Sequence, residues 1–305
     1  MSLVEKALRK AQAAQGALPP SARVITPEHG RLPDDTAPLG EALRAEPVPV
    51  PPEKLLRVNQ VALRTAGMLA PEHETRLIAN QFRQIKRPLL QNALAKDASR
   101  DSVHIMVASA FAGEGKTFTT MNLALSIALE KEITVLLVDA DAAKPHISKV
   151  LRVEEERGLT DTLLDPSLDV ESLILPTDIP NLSVLPAGRP VDTAAELFAS
   201  LRMEEVMAQI GARHRRRIVI YDSSPLLLTA ESRSLAQRAG QIVLVVRAGV
   251  TPQSAVLNVL GDLGSEKFVG IVLNQSHYGD ESTYGYGNRT PYGEGAGRES
   301  PGREY

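Results

Sequence analysis

Hydrophobic positions along this chain fall into two kinds of block. Val103 to Ser109, Ile133 to Asp139, Leu182 to Leu185, Ile218 to Asp222, Ile242 to Arg247 and Val269 to Leu273 are short, nearly unbroken apolar runs rich in β-branched residues. Runs with so little polar alternation predict strands covered on both faces. Between them, Thr117 to Glu130, a region beginning around Ile147, Ala194 to Ile210, Ala230 to Ala239 and Gln253 to Leu263 carry apolar residues at helical spacing. The two kinds alternate, which predicts an α/β fold: a doubly wound, mostly parallel sheet with its ligand chemistry at the carboxyl edge.

The pattern changes on either side of this block. Pro71 to Ala95 reads as a helix through Leu77, Ile78, Phe82, Ile85, Leu89 and Leu90, with a kink or stop expected at Pro88. Before it, Pro19, Pro20, Pro27, Pro33, Pro38, Pro47, Pro49, Pro51 and Pro52 argue against helix, weaken any sheet and point to an extended, disordered linker. Ser2 to Gln15 reads as an amphipathic helix, with Ser2 and Glu5 spaced as a capping box, either a docking element or a frayed terminus. After Asn274 the chain turns to Gly, Tyr, Ser, Glu and Arg, a composition that cannot bury a core and predicts a flexible tail. The expected organisation is a helix over 1–16, a Pro-rich linker over 17–70, a folded domain over 71–275 and a Tyr-rich tail over 276–305. The tail holds Tyr278, Tyr284, Tyr286, Tyr292 and Tyr305, leaving Tyr221 in the folded body. Tyrosine where packing is impossible suggests a modification target or an adhesive tract.

Composition narrows the function. A net charge of −3 argues against nucleic-acid binding through a global basic field. The local run Arg213 to Arg217 could meet anionic lipid or another protein, but its leading reading is a solvated turn before a strand. Cysteine is absent, which excludes disulfides and thiolate metal sites, and no run of about twenty apolar residues is present to span a membrane. A cytoplasmic location is expected. The six histidines are scattered without metal-ligand spacing and read as surface or capping residues, so the expected metal is Mg²⁺ arriving with nucleotide.

The chemistry concentrates after the first apolar run. Ala110-Phe111-Ala112-Gly113-Glu114-Gly115-Lys116-Thr117 lies between a predicted strand and a predicted helix and fits the phosphate-binding loop template except at Ala110. Small residues let successive N–H groups turn toward phosphates, Lys116 can reach the β and γ oxygens, and the Thr117 hydroxyl can hold Mg²⁺. The fold class is therefore of the P-loop NTPase type, with Gly113, Glu114, Gly115, Lys116, Thr117 and Phe118 around the triphosphate. Asp139 and Asp141 close a second apolar strand, and Asp222 closes a third, each suited to hold Mg²⁺ or accept a proton.

These residues, in this order, resemble the bacterial tyrosine kinase family, the P-loop autokinases of exopolysaccharide loci. The resemblance covers roughly Thr75 to Asn274 and includes Ser109 to Thr117, Asp139-Ala140-Asp141, Leu185 to Gly188, Asp222-Ser223-x-Pro225 and Gly270 to Asn274. Met1 to Leu8 and Phe82 to Leu90 are similar to the subgroup of PEP-CTERM loci. It implies an ATP-dependent protein tyrosine autokinase in which Lys116 stabilises the β,γ-phosphates and Thr117, Asp139 and Asp222 serve the metal. The resemblance further implies Asp141 as the candidate to accept the tyrosine proton, Asn274 at the position that contacts the base, and phosphorylation of the tail tyrosines between subunits. Asn274-Gln275-Ser276-His277 lacks a guanine-recognition pattern, so ATP is expected over GTP. The resemblance also implies a homo-oligomer and a separate transmembrane polysaccharide co-polymerase as partner, bringing this chain to the inner membrane.

Three departures stand out. Ala143 replaces an arginine expected after Asp141, Asn80-x-x-Arg83-x-x-Lys86 lacks the acidic residue of the ring-forming helix, and Ser224 replaces the first proline after Asp222-Ser223. The alternatives are a partition- or septum-positioning-type ATPase, against which Phe111 stands where a second lysine is usual, and a catalytically poor ATP-binding scaffold.

Overall fold

The computed structural model describes residues 22–24, 55–212, 216–264 and 267–276. Among these residues, eight strands form one sheet: β1 (Ala22–Val24), β2 (His104–Ser109), β3 (Thr134–Ala140), β4 (Leu175–Pro176), β5 (Leu182–Leu185), β6 (Arg217–Ser223), β7 (Gln241–Arg247) and β8 (Phe268–Asn274). Their order is β1-β8-β7-β2-β6-β3-β5-β4. Every pairing is parallel except the short β4 against β5. This is the α/β sheet expected from the alternation of apolar runs. β2 lies between β6 and β7, so the chain leaves β2 at the point where the strand order turns back, the place where such sheets open a ligand crevice.

All six residues of β2 are buried because the sheet is covered on both sides. Successive side chains point to opposite faces. Ile105 and Val107 join one core with Val135, Leu137, Ile218, Ile220, Val243 and Val245, whereas Met106 and Ala108 join the other with Leu136, Val138, Val219 and Leu244. The first core is closed by α1 (Gln60–Thr65), α2 (Thr75–Ala93), α3 (Lys116–Ala128) and α4 (His146–Leu151). The second is closed by α5 (Leu159–Leu164), α6 (Ala194–Ala199), α7 (Leu201–Ala212), α8 (Ala230–Arg238) and α9 (Gln253–Leu263). Among the described residues, no helix is long and apolar enough to cross a membrane.

Several elements depart from the pattern reading. α2 runs through Pro88 without stopping there. The helix expected over Ala194 to Ile210 breaks at Ser200, which adopts an extended backbone. Its hydroxyl donates to Leu197 O at 2.6 Å and accepts from Met203 N at 3.3 Å, so one side chain serves both helix ends. The expected 17–70 linker contains β1, paired in parallel with β8, and α1, whose Asn59 cap accepts from Ala62 N–H at 3.0 Å and whose Leu63 is fully buried. The tract's prolines lie outside these two segments, so their exclusion of regular structure does not reach them. The helix expected over 1–16 and the tail tyrosines Tyr278, Tyr284, Tyr286, Tyr292 and Tyr305 lie outside the described residues.

Two polar residues read as surface groups are interior. His104 is buried at the start of β2, where its Nδ1 shares a 2.9 Å hydrogen bond with the Tyr221 hydroxyl. Burial pushes its pKa down to about 4, so the ring is neutral at physiological pH. Arg217, expected in a solvated turn, is buried and forms a two-pronged ion pair with Glu171, while its neighbour Arg216 stays at the surface with Glu132.

Candidate active site

The loop between β2 and α3 is shaped by its own side chains. Gly113 and Gly115 take left-handed backbone conformations at φ 80° and 96°, which side-chain-bearing residues rarely adopt. A Cβ on Gly115 would lie 2.0 Å from the Asn274 side-chain nitrogen, so that position has no room for one. Asn274 Nδ2 donates to the Glu114 carbonyl at 2.9 Å, tying the end of β8 to the loop. The Glu114 side chain folds back: one oxygen accepts the Phe111 N–H at 2.9 Å and the other takes the Thr251 hydroxyl. Thr251 in turn accepts the Arg247 N–H at 3.0 Å. The loop is thus held from the ends of two strands, β7 and β8.

Gly115 caps α3, and the first N–H to return to the chain is that of Thr119, to Gly115 O at 2.9 Å. By helix geometry the N–H groups of Lys116, Thr117 and Phe118 point out of the helix start, and the helix dipole adds positive potential there. Phe118 contributes only its backbone to this surface, because its ring packs on Phe82 with centroids 6.2 Å apart. Lys116 is buried to 8% exposure. Desolvation pulls its pKa down, while Asp222, Asp141 and Glu114 push it back up.

Three carboxylates arrive from two neighbouring strands, β3 and β6, which align Asp139 with Asp222 in register. Asp222 Oδ2 accepts the Thr117 hydroxyl at 2.7 Å, and its Oδ1 lies 2.9 Å from the Thr120 hydroxyl. Asp139 is fully buried, with Oδ2 accepting both the N–H and the hydroxyl of Ser148 at 2.8 Å. Burial raises the Asp139 pKa to about 7, with the Asp222 charge adding to it, and raises that of Asp222 to about 6. Asp141 is half-buried, and its Oδ1 accepts from the Ser224 hydroxyl at 2.8 Å and the Lys144 N–H at 3.1 Å. Lys116, Thr117, Asp139, Asp141 and Asp222 therefore meet at one edge of the sheet. Thr120, Ser148, Ser224 and Thr251 support them, and the sequence reading assigned none of these four a role. Thr120 was within reach of that reading, lying one helical turn after Lys116.

A family profile described as an AAA domain matches residues 102–253. The tyrosine-protein kinase YwqD of Bacillus subtilis is 30% identical over 233 residues, which cover 76% of this chain and 95% of YwqD. The chain belongs to the bacterial tyrosine kinase family. The succinoglycan biosynthesis transport protein ExoP of Rhizobium meliloti is 29% identical over 192 residues, 61% of this chain but 24% of ExoP. Among solved structures, the VpsO kinase domain superimposes with a TM-score of 0.55 at 26% identity, covering 67% of this chain and 98% of that domain.

In this member of the bacterial tyrosine kinase family, the helix compared above with a ring-forming motif makes contacts within its own subunit. On α2, Arg83 Nη1 donates to Asn80 Oδ1 at 2.8 Å, and Lys86 is buried between Ser126 O and Glu130, the latter at 2.7 Å. Lys86 thus joins α2 to α3 inside one subunit.

Proposed function

We propose that this chain is an ATP-dependent protein tyrosine autokinase that phosphorylates its C-terminal tyrosines in trans and thereby regulates exopolysaccharide synthesis and export. The supporting observation is the meeting of Lys116, Thr117, Asp222 and Asp141 at the mouth of a glycine loop that has no room for a Cβ at Gly115. This donor set fits a Mg²⁺-bound triphosphate. The N–H groups at the start of α3 and the Lys116 ammonium would receive phosphate oxygens, and Thr117, Asp222 and the remaining oxygen of Asp139 would hold the metal. Mg²⁺, when bound, neutralises charge on the phosphates and on the leaving group.

The chain's own residues do three things in this reading. The loop and Lys116 fix the γ-phosphoryl group. Asp141 takes the tyrosine O–H proton as the phenolic oxygen bonds to phosphorus and the bond to ADP breaks. Asn274, with its nitrogen on the loop, keeps its oxygen for the adenine base. Because such transfer is largely dissociative, positioning outweighs base strength.

Tyr278, Tyr284, Tyr286, Tyr292 and Tyr305 are the proposed acceptors. Each phosphate adds about −1.5 to −2 charge, so a modified tail would repel neighbouring subunits and disperse an assembly. The proposed membrane partner is a separate polysaccharide co-polymerase that holds this chain at the cytoplasmic face. The name and greater length of ExoP, of which this chain matches 24%, support that reading.

The test is incubation of the purified chain with Mg-ATP, alone and with the co-polymerase partner, followed by phosphotyrosine detection. Wild type should become phosphorylated, and Lys116→Met should lose at least about a hundredfold of the rate with the fold retained. Equal phosphorylation of Lys116→Met without added kinase would overturn the site assignment.

A further inference from the structure

Ser224 stands immediately after β6, where the sequence comparison leads one to expect proline, and it is 2% exposed. Its hydroxyl donates to Asp141 Oδ1 at 2.8 Å, across the gap between the ends of β6 and β3. The Lys144 N–H adds a second bond to the same oxygen, whereas Oδ2 accepts no hydrogen bond from the described residues. Asp139 is placed differently, with one oxygen taken twice by Ser148 and complete burial behind the strand ends. Asp141 is therefore the half-buried carboxylate near Lys116 that keeps an uncommitted oxygen. A terminal carboxylate torsion is broad, so an Asp141 without these donors would present either oxygen over a wide range of angles.

We infer that Ser224 is a positioning residue of this kinase site, holding Oδ1 of Asp141 so that Oδ2 is the atom that takes the tyrosine proton. The inference rests on the kinase reading above. The proton passes from the phenol to Oδ2 while the phenolic oxygen bonds to the γ-phosphorus and ADP leaves with the electrons of the broken bond. Ser224 exchanges no proton; it fixes the acceptor. Proline cannot make this contact, because it has no hydroxyl.

The test compares wild type, Ser224→Ala and Ser224→Thr by single-turnover phosphotyrosine formation, affinity for a fluorescent ATP analogue, and Tm. Ser224→Ala should slow phosphotransfer about tenfold, the scale of one lost bond to a charged group, with nucleotide affinity within about twofold of wild type. Ser224→Thr, which keeps the hydroxyl, should restore the rate. Wild-type phosphotransfer in Ser224→Ala would overturn the role of Ser224 alone, as would parallel losses of rate and nucleotide affinity or failure of Ser224→Thr to rescue. A wild-type chain that forms no phosphotyrosine, even with the membrane partner present, would overturn the kinase reading and this inference with it.

Discussion

In Asp222 the proposed function and stability oppose each other in one side chain. It is held by the Thr117 and Thr120 hydroxyls yet is almost fully buried beside a second carboxylate, Asp139. Burial raises its pKa from 3.8 to about 6, which means the folded chain holds this proton more tightly than the unfolded chain does. The contribution to stability is fully present below pH ~4 and is lost as pH rises through 6. An Asp222→Asn chain escapes that loss. Its thermal stability relative to wild type, measured without nucleotide, should rise between pH 4 and pH 7 by an amount on the order of 2 kcal/mol, while phosphotransfer falls. A stability difference that stays flat or shrinks over that range would show that Asp222 is not strained by its burial. His104 shifts the opposite way, its pKa depressed to about 4 by burial, so it favours folding at higher pH. Since both proteins in the comparison retain His104, its effect cancels.

At the scale of elements, the contact between α2 and α3 depends on Lys86, whose ammonium bridges Ser126 O and Glu130. Lys86→Ala should lower the Tm of the isolated subunit by several degrees, because it strands a buried carbonyl and opens a cavity. An unchanged Tm with an altered oligomer mass would instead place Lys86 at an intersubunit contact. The strands were legible because full burial on both faces leaves unbroken apolar runs such as Ile105 to Ala108 and Ile242 to Val245. The helices were less so where a single side chain decided the outcome. Nothing in the apolar spacing of Ala194 to Ile210 announces the break at Ser200, which arises from two local hydrogen bonds. α1 was hidden by length, since its single fully buried residue, Leu63, gives no periodicity to read. The loop, Lys116, Thr117 and the three aspartates were legible from spacing. Two of their supports, Ser224 and Thr251, come from distant chain positions and meet the site only through the sheet order, whereas Ser148 lies nine residues after Asp139.

On the scale of the whole molecule, the strand order places β2 at the switch point and delivers the ends of β3, β6 and β8 to the same edge as the glycine loop. The proposed acceptor tyrosines fall within residues 277–305, after β8 in the sequence, so the proposed reaction joins two parts of the sequence that need not belong to the same subunit. The most direct measurement mixes two chains in Mg-ATP with the membrane partner. One is active but carries Phe at positions 278, 284, 286, 292 and 305; the other is Lys116→Met with its tyrosines intact. Mass spectrometry should find phosphate on the tail tyrosines of the Lys116→Met chain in the mixture and none when that chain is alone. An unmodified Lys116→Met tail in the mixture, under conditions where wild type is phosphorylated, would contradict transfer between subunits.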